Sequence, residues 1–168
     1  MKILLFVAAL GICCSLVYSA NAADQVAPAP NGLTLPEGYK DWRVISSTHR
    51  LDNQTLRVIL GNDTAVEAAR TGKSNPWPKG AIFVKMSWKE TVHPDWEKAI
   101  VPGEFVQVEI MVKDSEKYKE TGGWGFARWK GLALKPFGAD ASFAQDCFTC
   151  HQPMQDKDYV FTRPHQLP

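Results

Sequence analysis

The chain has 168 residues, 45% of them hydrophobic and 22% charged, with a formal net charge of +1. That length is the size of one domain with a sizeable core. The balanced charge, with no basic stripe and no long charge run, excludes nucleic acid and an anionic membrane as expected partners.

Residues 1–22 open with Lys2, continue as an apolar run from Ile3 to Val17 and close on Ala20-Asn21-Ala22. The pattern predicts a secretory signal with an A-x-A cleavage site and no membrane span. Ile12 stands where a lipoprotein anchored at Cys13 would need a small residue. Cleavage removes Cys13 and Cys14, leaving Cys147 and Cys150 in a chain bound for an oxidising, periplasmic compartment. Residues 23–34, around Ala27-Pro28-Ala29-Pro30, read as an extended linker, and residues 35–168 as the single domain.

Short strands and short helices then alternate. Strands are predicted over 43–48 and 55–60, the second with Leu56, Val58 and Leu60 on one face. Asn62 or Asp63 caps a helix through Thr64–Arg70 that ends at Gly72. Asn75-Pro76-Trp77-Pro78 breaks regular structure before a long strand over 81–91. Ile82, Val84, Met86 and Trp88 share one face of that strand, and Ala81, Phe83, Lys85 and Ser87 the other. On pattern alone, Lys85 is a solvated lysine on a wet strand face.

After a turn at His93-Pro94-Asp95-Trp96, a strand over 104–113 sets Val106, Val108, Ile110 and Val112 against Phe105, Gln107, Glu109 and Met111. Asp114–Tyr118 reads as a capped turn. Gly122-Gly123 leads into a strand at 124–129, where the glycines either admit a flat ligand or pack Trp124 and Trp129. Asp140 caps a helix running to Gln152, and the apolar tail through Asp158–Pro164 packs back on the domain.

That last helix carries Cys147-Phe148-Thr149-Cys150-His151. In an exported chain, Cys-x-x-Cys-His reads as covalent haem attachment: two thiols bond one edge of the macrocycle and the adjacent imidazole takes an axial iron position. A redox dithiol and half a zinc site are the alternatives. Met154 is too near His151 to reach the opposite face of the same haem. A common small electron-transfer cytochrome places this motif early and its axial methionine far downstream, and a four-helix bundle would need long heptad-like helices. A mainly β haem protein remains, with its sixth iron position open unless His49, His93, Met86 or Met111 fills it.

In order along the chain stand Gly80-Ala81-Ile82-Phe83-Val84-Lys85, Met111-Val112-Lys113-Asp114, Gly123-Trp124-Gly125-Phe126, Cys147-x-x-Cys150-His151 and Asp158-Tyr159-Val160-Phe161-Thr162. This series resembles the cytochrome P460 family over nearly the whole segment from Tyr39 to Pro164. The resemblance implies an α+β fold, mainly antiparallel sheet with short flanking helices, as a single domain enclosing one haem c per chain, with His151 as proximal ligand. It also implies that Lys85 is joined covalently to a meso carbon of the porphyrin; burial against the ring would favour the neutral amine that such a bond requires.

Better-known members of the family oxidise hydroxylamine and pass electrons to an accepting cytochrome or similar partner. Their relatives without the cross-link, the cytochromes c′-β, bind nitric oxide under an aromatic cap, for which Phe83, Phe105 and Phe126 are candidates here. Asp140 and Arg128 are candidates for the polar residue that assists turnover. Three readings therefore stand: a hydroxylamine oxidoreductase, a non-catalytic nitric oxide binder and, third, a plain electron carrier. Oligomeric state is left between monomer and homodimer.

Overall fold

In the computed structural model, which describes residues 26–166, an α+β chain forms one antiparallel sheet of six strands with two short α-helices. The strands are β1 (Arg43–Arg50), β2 (Thr55–Gly61), β3 (Ile82–His93), β4 (Trp96–Lys113), β5 (Trp124–Lys130) and β6 (Lys135–Pro136). Helix α1 (Asp63–Thr71) joins β2 to β3, and α2 (Phe143–His151) follows β6. Strand order across the sheet is the order in the chain. The predicted signal segment, with Cys13 and Cys14, lies outside the described residues.

Local chemistry accounts for α1. The Asn62 side chain accepts a hydrogen bond from Ala65 N at 3.0 Å, satisfying one of the donors that a helix start leaves free. The same oxygen accepts from Ile82 N at 3.1 Å, and Asn62 Nδ2 donates to Gly80 O at 2.8 Å, so one residue ties the helix to the start of β3. Gly72, at φ 71°, closes the helix in the left-handed conformation that costs glycine nothing. Ala65, Val66 and Ala68 form its buried side.

Strand alternation divides the sheet into two apolar layers. Ile59, Phe83, Trp124 and Phe126 meet α1, Phe148 of α2 and Val160 of the tail on one face. Leu60, Val84, Val108, Ile110, Ala127 and Trp129 form the core on the other face, with Tyr39 and Ala29. The segment read as a linker is docked on this second face: Ala29 is buried, Val26, Leu33 and Leu35 pack beside it, and Trp129 Nε1 donates to Ala27 O at 2.8 Å.

The β3–β4 hairpin departs from the expected register. Strand β4 begins at Trp96, well before the predicted start, and Pro102 is accommodated where the ladder is irregular and needs no donor. Trp88 pairs with Phe105 and Ser87 with Gln107, so Val106 is an extra residue in β4. Such a bulge reverses the parity of every position on one side of it. Phe105 is therefore turned to the second face, against Trp88 with ring centroids 5.7 Å apart, and does not share a face with Glu109 and Met111 as the sequence pattern suggests.

The glycines before and within β5 admit tyrosines. A Cβ on Gly122 would stand 2.4 Å from the Tyr159 ring, and one on Gly125 would stand 2.5 Å from the Tyr118 ring. These close approaches are filled by the chain's own aromatics, and both Trp124 and Trp129 are fully buried.

Candidate functional site

Helix α2 is shorter than predicted and starts at Phe143. The Asp140 carboxylate accepts a hydrogen bond from Ser142 N at 2.9 Å and shapes the turn ahead of the helix, so it is not the helix N-cap. That residue is fully exposed, and its hydrogen bonds to Ser142 hold its carboxyl below the usual range. Nothing brings it toward the other predicted site residues.

Cys147 and Cys150 are free thiols spaced i and i+3 on α2, and so share a helix face; Cys150 is exposed and Cys147 half-buried. Burial pushes the Cys147 thiol up, with Arg128, Glu109, Asp146 and Lys85 close enough to act on it electrostatically. His151 ends the helix. Its Nδ1 lies 2.7 Å from Tyr159 O, and because a carbonyl can only accept, this nitrogen carries the proton. The Nε2 lone pair is thereby left for a metal. The rings of Phe126 and Phe161 flank the imidazole, each with its centroid 5.1 Å away. Burial holds the histidine below its ordinary value, the Tyr159 hydrogen bond opposes this, and the charges of Lys85 and Glu109 also reach it.

Facing α2 from the sheet is a row of charges set by register. Lys85 of β3 pairs with Glu109 of β4, which pairs with Arg128 of β5. Lys85 Nζ lies 2.6 Å from Glu109 Oε2, and Arg128 donates to Oε1 through two nitrogens at 2.8 and 3.1 Å. The contact with Lys85 is an ion pair without hydrogen-bond alignment, which leaves the buried Oε2 with no well-directed donor. Burial by itself would raise the Glu109 carboxyl; Lys85 and Arg128 outweigh it and lower the group to about 2.

Strand pattern makes Lys85 a solvated lysine, and the family resemblance makes it a haem-linked one. Its ammonium group instead meets a carboxylate, and the side chain retains 28% exposure. Glu109 is the site residue that sequence reasoning missed.

The residues proposed as aromatic caps or sixth ligands separate by face. Phe83 is core, wedged between Trp77 and Trp124 at centroid distances of 4.7 and 5.5 Å. Met111 belongs to the α2-facing layer, whereas Met86 lies in the opposite one. His49 is engaged by Glu90, and His93 Nδ1 accepts from Asp95 N in the hairpin turn.

The donor set fits a covalently held haem. An exposed and a half-buried thiol one helical turn apart precede an imidazole whose proton is fixed on Nδ1, and aromatic rings flank that imidazole. A profile of the family described as Cytochrome P460 matches residues 36–162. No match is found among curated proteins.

Proposed function

This chain belongs to the cytochrome P460 family and is a c-type haem protein, and on that premise we propose that it oxidises hydroxylamine at a haem held by Cys147 and Cys150, with His151 on the iron and Lys85 bonded to the macrocycle. Members of the family are typically secreted, and the predicted signal segment supports a periplasmic location. When bound, the haem supplies a redox-active iron with one axial position for a small nitrogen ligand.

The observation that carries the enzyme reading is the placement of Lys85 and half-buried Glu109 on the sheet face toward α2. To bond a meso carbon, Lys85 leaves its ion pair and gives up a proton. Replacing the meso hydrogen by the neutral amine then releases two further protons, one from that carbon and one from nitrogen, and two electrons to an external oxidant.

Glu109 loses one of the two cations that hold its carboxyl low, and keeps Arg128 as its anchor. Its Oε2 becomes a fixed acceptor for the N–H or O–H protons that hydroxylamine loses on oxidation. Electrons leave to a separate acceptor of the cytochrome class.

The nitric oxide reading is favoured by one observation: Lys85 is paired with a carboxylate, and an ion-paired ammonium is not a nucleophile. Purified holoprotein decides between the two. Peptide mapping should find Lys85 attached to haem, and Lys85→Ala and Lys85→Arg should both abolish hydroxylamine oxidation while haem stays bound through Cys147 and Cys150. Unmodified Lys85 in active protein, or full activity in Lys85→Ala, would hand the assignment to a nitric oxide binder.

A further inference from the structure

Below the site, Lys113 and Asp158 form an ion pair in which both side chains are under a tenth exposed, with Nζ 2.5 Å from Oδ1. The ammonium also lies 4.9 Å from the centroid of the Trp124 ring. The other carboxylate oxygen of Asp158 accepts from Trp77 N at 2.8 Å, and its main-chain carbonyl accepts from Trp124 Nε1, also at 2.8 Å. Every polar group of Asp158 thus has a partner, and most of the partners are buried.

What this clamp holds is unusual backbone. Asp158 and Tyr159 are consecutive non-glycine residues in the left-handed region, at φ 52° and 62°. Such residues persist only where their surroundings over-determine them. Tyr159 N donates to Met154 O at 2.7 Å, and the Tyr159 ring lies on Gly122, where any Cβ would clash. The result is to aim Tyr159 O at His151 Nδ1.

We propose that Lys113 and Asp158 are positioning residues for the axial histidine. The pair fixes the left-handed turn, the turn fixes the Tyr159 carbonyl, and the carbonyl sets both the tautomer of His151 and the electron-donating strength of its Nε2. Hydrogen bonding at Nδ1 gives the imidazole more anionic character and strengthens its bond to iron. Loosening the pair should weaken that bond while leaving both thioether cysteines untouched. The inference rests on His151 being the axial ligand, a reading that can be checked separately.

The test uses ferrous holoprotein and reads the iron–histidine stretching frequency, the reduction potential and the rate of proximal-ligand release. His151→Ala should eliminate the iron–histidine band; if it does not, the ligand assignment fails and the positioning role with it. Asp158→Asn leaves Lys113 unpaired in the interior and can lose the fold. The double variant Lys113→Met with Asp158→Asn removes both charges together and is therefore decisive.

In the double variant the iron–histidine frequency should fall, the potential should rise and proximal-ligand release should accelerate about 10-fold, at the lower end for lost hydrogen-bond partners of a ligating histidine. Lys113→Arg, which keeps the charge but not the reach, should give the same changes at smaller amplitude. If folded double variant and Lys113→Arg protein both retain the wild-type frequency and potential, the pair is only a structural staple and the proposal is overturned.

Discussion

The same strands present two unlike faces. On one, Val84, Val108, Ile110 and Trp129 make a layer without charge, sealed by the N-terminal segment. On the other, positions one residue away along the same strands give Lys85, Glu109 and Arg128, an ion-pair row within an otherwise aromatic layer. Taking charges out of water is costly, and such a row rarely stabilises more than apolar side chains of similar size would. The first face holds the molecule together, and the second gives up some stability to keep charge next to α2.

The largest effect should come from breaking the apolar face. Trp129→Ala removes a fully buried indole and its hydrogen bond to Ala27 O, and should cost about 3–5 kcal/mol in chemical denaturation. Haem-site spectra of the folded fraction should shift as well, because Phe143 and Cys147 of α2 pack against the same apolar cluster as Trp129.

Acid should attack the charged face next. Glu109 is held at about 2 against an ordinary 4.5, so its contribution is complete above that ordinary value and is lost as pH falls from there toward 2. The loss should amount to roughly 3 kcal/mol, because each tenfold change in proton affinity is worth about 1.4 kcal/mol. Glu109→Gln should flatten stability across that window, and an unaltered pH profile would show that the carboxylate is not held low.

Making the two faces alike would sharpen the contrast further. Lys85→Met, Glu109→Leu and Arg128→Met together should leave stability unchanged or raise it by about 1–4 kcal/mol, as apolar replacement of buried ion pairs often does. Hydroxylamine oxidation should be lost in the same protein. A large destabilisation would instead make the charges structural. The smallest effect belongs to Arg43→Ala, which removes an exposed pair with Asp63 and should change stability by about 0–1 kcal/mol.

Alternation in β3 was readable from sequence, and it put Lys85 and Phe83 on one face and Val84 and Met86 on the other, where the structure has them. The turn at His93–Trp96 and the stop at Gly72 were legible for the same local reasons. What alternation cannot supply is register across a hairpin. Carried without interruption from the pairing of His93 with Trp96, the β3–β4 ladder would set Lys85 opposite Glu104; three irregularities move its partner to Glu109.

Those irregularities depend on how the sheet packs, and so Glu109 went unnoticed and Phe105 was assigned to the wrong face. Asp140 was overvalued because nearness in sequence to Cys147 stood in for nearness in space. Trp77, Lys113 and Asp158 meet only through tertiary contacts, which no local pattern in the chain announces.

The meander order has a consequence for how the molecule is made. Each strand's partner is the next strand in the chain, so the sheet can grow by successive hairpin closures. Helix α2 docks chiefly on the late strand β5 and on segments flanking it, so it gains its native neighbours after most of the sheet exists. As the chain emerges N-terminus first, the helix that carries Cys147 and Cys150 is thus among the last elements to dock. Enzymatic modification of these thiols can therefore act on a nearly finished scaffold, while the segment they occupy is still undocked.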